Sequence, residues 1–411
     1  MQNFLKSGRR DFLGKLSLAG ALGFIAQSPL GAYGTKISEL AAYPAEGHIF
    51  LTAPYLQAPS TDRINIRFIT NRYCYSWVEY GTSEQLGNKA HEITDGLVDA
   101  FNRINNIELQ DLKPGTRYYY RVFSREIVEF LPYKLTYGET IQSDIYSFVT
   151  FKEKPDSVNW LVLNDIHDRP ASFGHMMGLH QQQPMDYVLL NGDIFDYQTD
   201  EQQLIDHLIS PVTASFAKSC PFLFLRGNHE TRGKFARGIK DYFSNPSPGQ
   251  YFAFRHGPVF TIALDTGEDK PDDHPVYAGI VDFDQYRRTQ GKWLEKQLQS
   301  EASKSAPFRV VMMHIPPQYS GDWHGPTHVK EVFSPLFDKY GVDMVISGHT
   351  HRHSVNPPVA GVHNYPVIIG GGPKEGQRTL IRVKASTRSL DLQMLDDSGK
   401  EVGVYRVPAK K

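Results

Sequence analysis

The stretch that decides the fold is Val342–His353, VDMVISGHTHRH. An apolar run, Val342 to Ile346, stops at Ser347 and Gly348, and His349, His351 and His353 follow at spacings of two. A polar loop after a buried strand would account for any one of these histidines. It does not account for four other strand ends. WLVLNDIHD runs from Trp160 into Asp165 and His167; YVLLNGDIFDY runs from Tyr187 into Gly192, Asp193 and Asp196. FLFLRGNHE runs from Phe222 into Gly227, Asn228, His229 and Glu230, and RVVMMHIPP runs from Val310 into His314. Each apolar run ends in carboxylate, amide or imidazole, the groups that ligate metals.

Between these runs strand and helix patterns alternate, which argues for an α/β domain over residues 158–408. In such a sheet ligands gather beyond the carboxyl ends of the strands. Five strands of one sheet are therefore expected to carry all these groups to one rim. The pairs Asp165/His167 and His349/His351 are expected to point the same way, as positions i and i+2 of extended segments. Gly192, Gly227 and Gly348 would allow tight turns and close backbone approach. Together these features predict a shared metal site.

The 411 residues are 40% hydrophobic and 22% charged, enough for two or three domains with cores. Lys+Arg 44 balance Asp+Glu 45, and no basic stripe stands out, so nucleic-acid binding is not expected. Cys74 and Cys220 cannot build a disulfide framework, and the sequence leaves open whether they pair.

At the N-terminus, SGRRDFLGK places Arg9 and Arg10 before the apolar run Leu16–Ala26. That run is too short to span a bilayer as a helix. The segment resembles a twin-arginine export signal, with Gly8 where Ser or Thr is commoner. The resemblance implies a signal peptide over residues 1–34 and a periplasmic or secreted mature protein without a transmembrane anchor. An exposed amphipathic helix is the competing account.

Residues 45–151 read as short strands. RINIRFIT alternates Ile64, Ile66 and Phe68 with Arg63, Asn65 and Arg67, and Lys113-Pro114-Gly115 marks a turn. A small all-β sandwich is expected there, contributing support or partner contact. Leu112, Pro114, Thr116, Tyr118 and Val122 resemble the fibronectin type III signature, in which the Tyr hydroxyl ties a corner between strands.

The ordered set DxH, GDxxD, GNHE, an isolated His and GHTH, over residues 158–353, resembles the calcineurin-like metallophosphoesterase superfamily. With the preceding strands and TAPYLQAP (Thr52–Pro59), the whole is similar to its purple acid phosphatase branch. The implied fold is an αββα sandwich behind a fibronectin-like domain. The resemblance implies two ions, from Fe, Mn or Zn. Asp165, His167 and His351 would hold one, Asn228, His314 and His349 the other, and Asp193 would bridge them. Two-metal sites hold ions about 3.5–4 Å apart, and metal coordination lowers the pKa of water towards about 7. A metal-bound hydroxide is the expected nucleophile.

In that branch a tyrosine three positions after the bridging Asp binds ferric iron. Here that position is Asp196, and Tyr197 follows it, so no tyrosinate ligand is expected. Asp196 either binds the first metal or orients a neighbour. His229, by resemblance, protonates the leaving group. Glu230 either orients His229 or is a surface carboxylate. His324, in GDWHGPTH, has the spacing of a further substrate-binding histidine; a solvated loop is the alternative. Arg226 and Arg232 are candidates to meet phosphate oxygens, with a surface or structural arginine as the alternative for each. His353 has no matched role. The acidic loop Thr266–Gly279 is expected to wall the site, and Trp293, Leu294 and Leu298 to form one face of a packing helix. Strands after His353 are expected to complete the second half of the sandwich.

The expected activity is hydrolysis of small phosphate monoesters without a phosphoenzyme. The alternatives are a phosphodiesterase acting on a nucleotide or glycerophosphodiester, and, more remotely, a non-catalytic surface-binding protein.

Overall fold

The computed structural model describes residues 47–181 and 183–410. The expected export signal, residues 1–34, lies outside them.

Two six-stranded sheets form the body of the molecule. The first runs in the order Phe222–Leu225, Tyr187–Asn191, Ser157–Leu163, Thr379–Ser386, Ser389–Asp396, Glu401–Pro408. Its first three strands are parallel, and the last three form an antiparallel meander beside Ser157–Leu163. The second runs in the order Phe252–His256, Val259–Leu264, Phe308–Met313, Met344–Ser347, Val367–Ile369, Ser354–Asn356, with the four middle strands parallel.

Side chains alternate across each strand, and the alternation builds four layers. Val158, Trp160, Val162, Leu189 and Leu223 of the first sheet meet Val259, Phe308, Val310, Met312 and Ile346 of the second in one buried core. The intervening residues face outward. Leu161, Leu163, Val188 and Leu190 pack with Phe173 and Met176 of helix Ala171–Leu179 and with Leu208 and Val212 beyond it. Ile262, Val311, Met313 and Val345 pack with Leu294 and Leu298 of helix Phe283–Leu298 and with Val329, Phe333 and Phe337 of helix His324–Tyr340. Helix, sheet, sheet, helix is the expected αββα order. Trp293 packs at the edge of the same cluster.

Two expectations about the sheets need correction. The five ligand-bearing strands do not share a sheet: three end in the first and two in the second. Facing sheets whose parallel strands end on the same side serve the purpose as well as one rim. The strands after His353 also divide. Val367–Ile369 joins the second sheet, whereas Thr379–Pro408 extends the first. Their alternation says which residues are inward and not which sheet they join.

The N-terminal strands form a seven-stranded sheet folded on itself. The 18-residue strand Ile64–Gly81 pairs with Tyr55–Gln57 and Ala100–Leu109 along its first half and with Arg117–Leu131 along its second. Register shifts around Cys74 mark the bend. Leu56, Ile66 and Phe68 of one half meet Val78, Tyr120 and Phe148 of the other in a common core. The Tyr118 hydroxyl accepts the Lys113 N–H at 2.9 Å, tying the corner after the turn.

Asn65 and Arg67, on the face opposite Ile64, Ile66 and Phe68, are buried as well. The α/β layers cover them. Arg67 donates to the Ser244 hydroxyl at 2.7 Å and to the Asp241 carbonyl, and the Tyr55 and Tyr120 hydroxyls bond the carbonyls of Tyr242 (2.9 Å) and Lys218 (2.8 Å). Cys74 and Cys220 are both free and buried.

Leu189 is fully buried between the two sheets. Leu189→Ala is expected to destabilise the protein by about 2–5 kcal/mol in denaturant unfolding. A loss under about 1 kcal/mol would contradict this packing.

Candidate metal centre

The loops leaving the strands continue the backbone ladder past the sheet. Asp165, His167 and Asp168 donate their N–H groups to the carbonyls of Gly192, Asp193 and Ile194 at 3.0, 3.0 and 2.9 Å. Between Asp165 and His167, Ile166 is buried in the core beneath the first sheet. Asp165, His167, Asp193, His349 and His351 all have positive φ, from 49° to 71°. The expected extended i, i+2 geometry is therefore wrong. The pairs sit in left-handed turns that bring both side chains back over the strand ends. Such conformations cost of order 1–3 kcal/mol each in a non-glycine residue and persist only where the surroundings fix them.

The space for this crowding comes from missing side chains. A Cβ on Gly192 would lie 2.6 Å from His314 Nδ1, and one on Gly348 would lie 2.4 Å from Asp165 Oδ2.

Two sets of ligand atoms converge. Asp165, His167 and His351 form one, and Asp193, His314 and His349 the other. Asp193 lies between them: its Oδ2 is 2.9 Å from His314 Nε2 and 3.7 Å from His167 Nε2. Asn228 Oδ1 joins the second set, 3.0 Å from His349 Nδ1. His229 also falls within reach of His167 and Asp193. All seven residues expected as ligands are thus brought together.

Neighbouring acceptors orient the imidazoles. The Asn191 carbonyl takes the Nδ1–H of His314 at 2.8 Å, leaving Nε2 as the lone-pair nitrogen toward Asp193. Asp196 Oδ1 sits 2.7 Å from His167 Nδ1 and does the same for that ring. Of the two roles open for Asp196, the structure supplies the orienting one. Tyr197 is exposed.

The donor set fits cations. His314 Nε2 and Asp165 Oδ1 are buried and make no hydrogen bond, and the His167 and His351 Nε2 atoms face each other at 3.0 Å. A cation satisfies all of these at once. The electrostatics agree. Burial opposes charge on Asp165, but His167, His314 and His351 outweigh it and hold its carboxyl well below the usual range. Burial likewise opposes charge on Asp193, and His314 outweighs it. Burial opposes charge on the imidazoles too, yet Asp165 and Asp193 push His167 up to about 9 and His314 up to about 10. His349 is held down at about 4, by burial and then by the charge of His314.

His229 takes a different position. Its Nδ1 donates to the Asp196 carbonyl at 2.7 Å, and its Nε2 accepts from Arg232 Nη1 at 2.9 Å, 3.9 Å from Asp193 Oδ2. Burial, with help from Arg232 and against Asp193, lowers its pKa.

Glu230 matches neither expectation. It is fully buried, and its two oxygens accept the N–H groups of Asp193, Ile194, Phe195 and Gly227 at 2.7–3.1 Å. It therefore shapes the loop that carries Asp193. Arg226 does not face the cluster; its guanidinium is held by buried Asp265 at 2.6 Å. Arg232 grips Glu268 with two 2.8 Å contacts while touching His229. His324 starts a helix rather than a loop and bonds both Asp284 oxygens, at 2.9 and 3.0 Å. His353 is exposed.

Sequence reasoning missed Asp168 and Glu268. Asp168 bonds the Asp196 N–H at 2.8 Å and His207 at 2.7 Å. Asp168 follows His167 directly, and Glu268 lies in the acidic loop flagged as a wall, so each carried a positional signal.

Comparison with known proteins agrees with this geometry. Residues 159–353 match the calcineurin-like phosphoesterase family model. The chain is 28% identical over 350 residues to acid phosphatase type 7 of Mus musculus, covering 77% of this chain and 72% of that one. It is 24% identical over 349 residues to purple acid phosphatase 21 of Arabidopsis thaliana, covering 81% and 72%. Among solved structures, purple acid phosphatase PPD1 from yellow lupin (Lupinus luteus) seeds superposes with a TM-score of 0.67 at 16% identity, over 86% of this chain and 74% of that one. PhoD superposes with a TM-score of 0.59 at 12% identity, over 90% of each. The class that fold and site define is the metallophosphoesterases, hydrolases of phosphate esters. Within it, this chain carries a calcineurin-like phosphoesterase domain of the purple-acid-phosphatase-like branch.

Two outcomes follow. Gly348→Ala is expected to displace Asp165 and to weaken metal binding at least about tenfold by equilibrium dialysis; unchanged affinity would contradict the close approach. Ligation needs neutral imidazoles, and the pKa values of His167 and His314 are raised. Metal binding near pH 7 should therefore release protons, and affinity should rise from about pH 6 to about pH 9. A flat profile would oppose this.

Proposed function

We propose that this chain is an exported phosphoesterase that uses two metal ions to hydrolyse phosphate monoesters. The observation that carries the reading is the position of Asp193 between two ligand sets. Asp165, His167 and His351 would hold one ion, Asn228, His314 and His349 the second, and the Asp193 carboxylate would serve both. Fe, Mn and Zn all suit imidazole and carboxylate donors. Bound there, the ions would supply Lewis-acid polarisation of phosphoryl oxygens and lower the pKa of bound water towards about 7.

The chain's own residues do the rest. Glu230 and Asp196 keep the Asp193 loop and the His167 ring in place. His229 stands beside both ligand sets with its Nε2 toward Arg232. To act as the acid it must carry a proton on Nε2, so Arg232 would give up its bond to that atom and the Nε2–H would pass to the departing oxygen. Burial lowers its pKa, so the protonated form is populated on the acid side of the ordinary histidine range. Acid phosphatases among the relatives support the monoester reading. Export rests on the Arg9–Arg10 stretch and the short apolar run after it; N-terminal sequencing of the mature protein checks it.

His229→Ala is expected to lower kcat by about a hundredfold or more on p-nitrophenyl phosphate while metal content stays the same. The parent protein should turn over that monoester faster than the bis ester. Preference for the bis ester would reassign the substrate class, and no hydrolysis of either by the metal-loaded protein would leave only a binding role.

A further inference from the structure

A cavity of about 550 Å³ lies beside the ligand cluster, a size typical of small-molecule sites. Arg232 joins the two. Its Nη1 touches His229 Nε2, and the same side chain lines the cavity. Glu268 also lines it, but that carboxylate is already neutralised by the two-point contact with Arg232.

What remains is two-sided. Lys234 and Arg237 are exposed along the cavity, and neither forms an ion pair among the described residues. Facing them is an apolar wall of Val276, Ile280 and Val281; Val276 and Ile280 are 65% and 64% exposed. Hydrogen bonds fix the shape of this wall. Asp272 accepts the N–H groups of Phe283 and Asp284 at 2.9 and 2.8 Å, closing the segment onto the start of the following helix. Arg237 Nη2 bonds the Ile280 carbonyl at 3.2 Å, tying the cationic side to the apolar one.

We infer that this cavity receives the leaving group, and that the preferred substrate is a phosphate monoester whose alcohol half joins an apolar body to a second negative charge. The inference rests on the phosphoesterase reading and adds the substrate class to it. A phosphoryl group held at the ligand cluster, with its ester oxygen toward His229, directs the alcohol half past Arg232 into this space. There the apolar body covers Val276 and Ile280, and the second anion meets Lys234 and Arg237.

The test compares kcat/KM of the metal-loaded full chain on phenyl, naphthyl and carboxyphenyl phosphate. Naphthyl and carboxyphenyl phosphate are each expected to exceed phenyl phosphate by about tenfold. Lys234→Gln with Arg237→Gln should collapse the preference for the carboxyphenyl ester. Ile280→Asn should collapse the preference for the naphthyl ester. Calorimetric titration should show naphthylphosphonate binding tighter than phenylphosphonate, and Ile280→Asn should remove that difference. Equal rates on all three esters, or variants that change all three by the same factor, would overturn the subsite while leaving the hydrolase reading intact. Absence of hydrolysis on every ester would sink both.

Discussion

Two carboxylates, Asp165 and Asp193, are buried side by side at the carboxyl ends of two neighbouring strands. Buried like charges are unfavourable unless opposite charge is brought to them. Much of the surrounding structure answers that constraint. Imidazoles from the second sheet meet the carboxylates of the first, left-handed turns aim them inward, and glycines leave room for the approach. Without the stacking of two sheets, His314, the imidazole that most offsets the charge of Asp193, would have no route to it.

The same constraint explains the outer ring. A ligating imidazole is useful only in one tautomer, so His314 is fixed by a backbone carbonyl and His167 by Asp196. The loop bearing Asp193 has its N–H groups pinned by Glu230. Arg232 closes the arrangement from the other side, sharing itself between His229 and Glu268. Phosphate-ester chemistry follows from this inner set; substrate choice belongs to the loops beyond it.

Much of this was legible in the sequence because strand periodicity and ligand chemistry coincide at the strand ends. Asp165, His167, Asp193, Asn228, His314, His349 and His351 each lie shortly after an apolar run, and the resemblance to metallophosphoesterases singled them out from their polar neighbours. Partnership across the fold was harder. Nothing local distinguishes an arginine facing Asp265 from one facing phosphate, so the sequence could not choose between the two readings of Arg226. His324 was spaced correctly, yet Asp284, forty residues away, claims it. Glu230 looks like a surface acid until four backbone donors are brought to it by tertiary structure. Sheet membership was also hidden, because alternation reports a face and not a neighbour.

The most direct measurement is metal stoichiometry of the purified chain beside that of Asp193→Ala. If Asp193 is the shared carboxylate, the parent protein holds two ions per chain and the variant loses affinity for both together. Loss of one ion with the other held unchanged would contradict a shared carboxylate, and a parent protein that retains no ion would contradict the centre altogether.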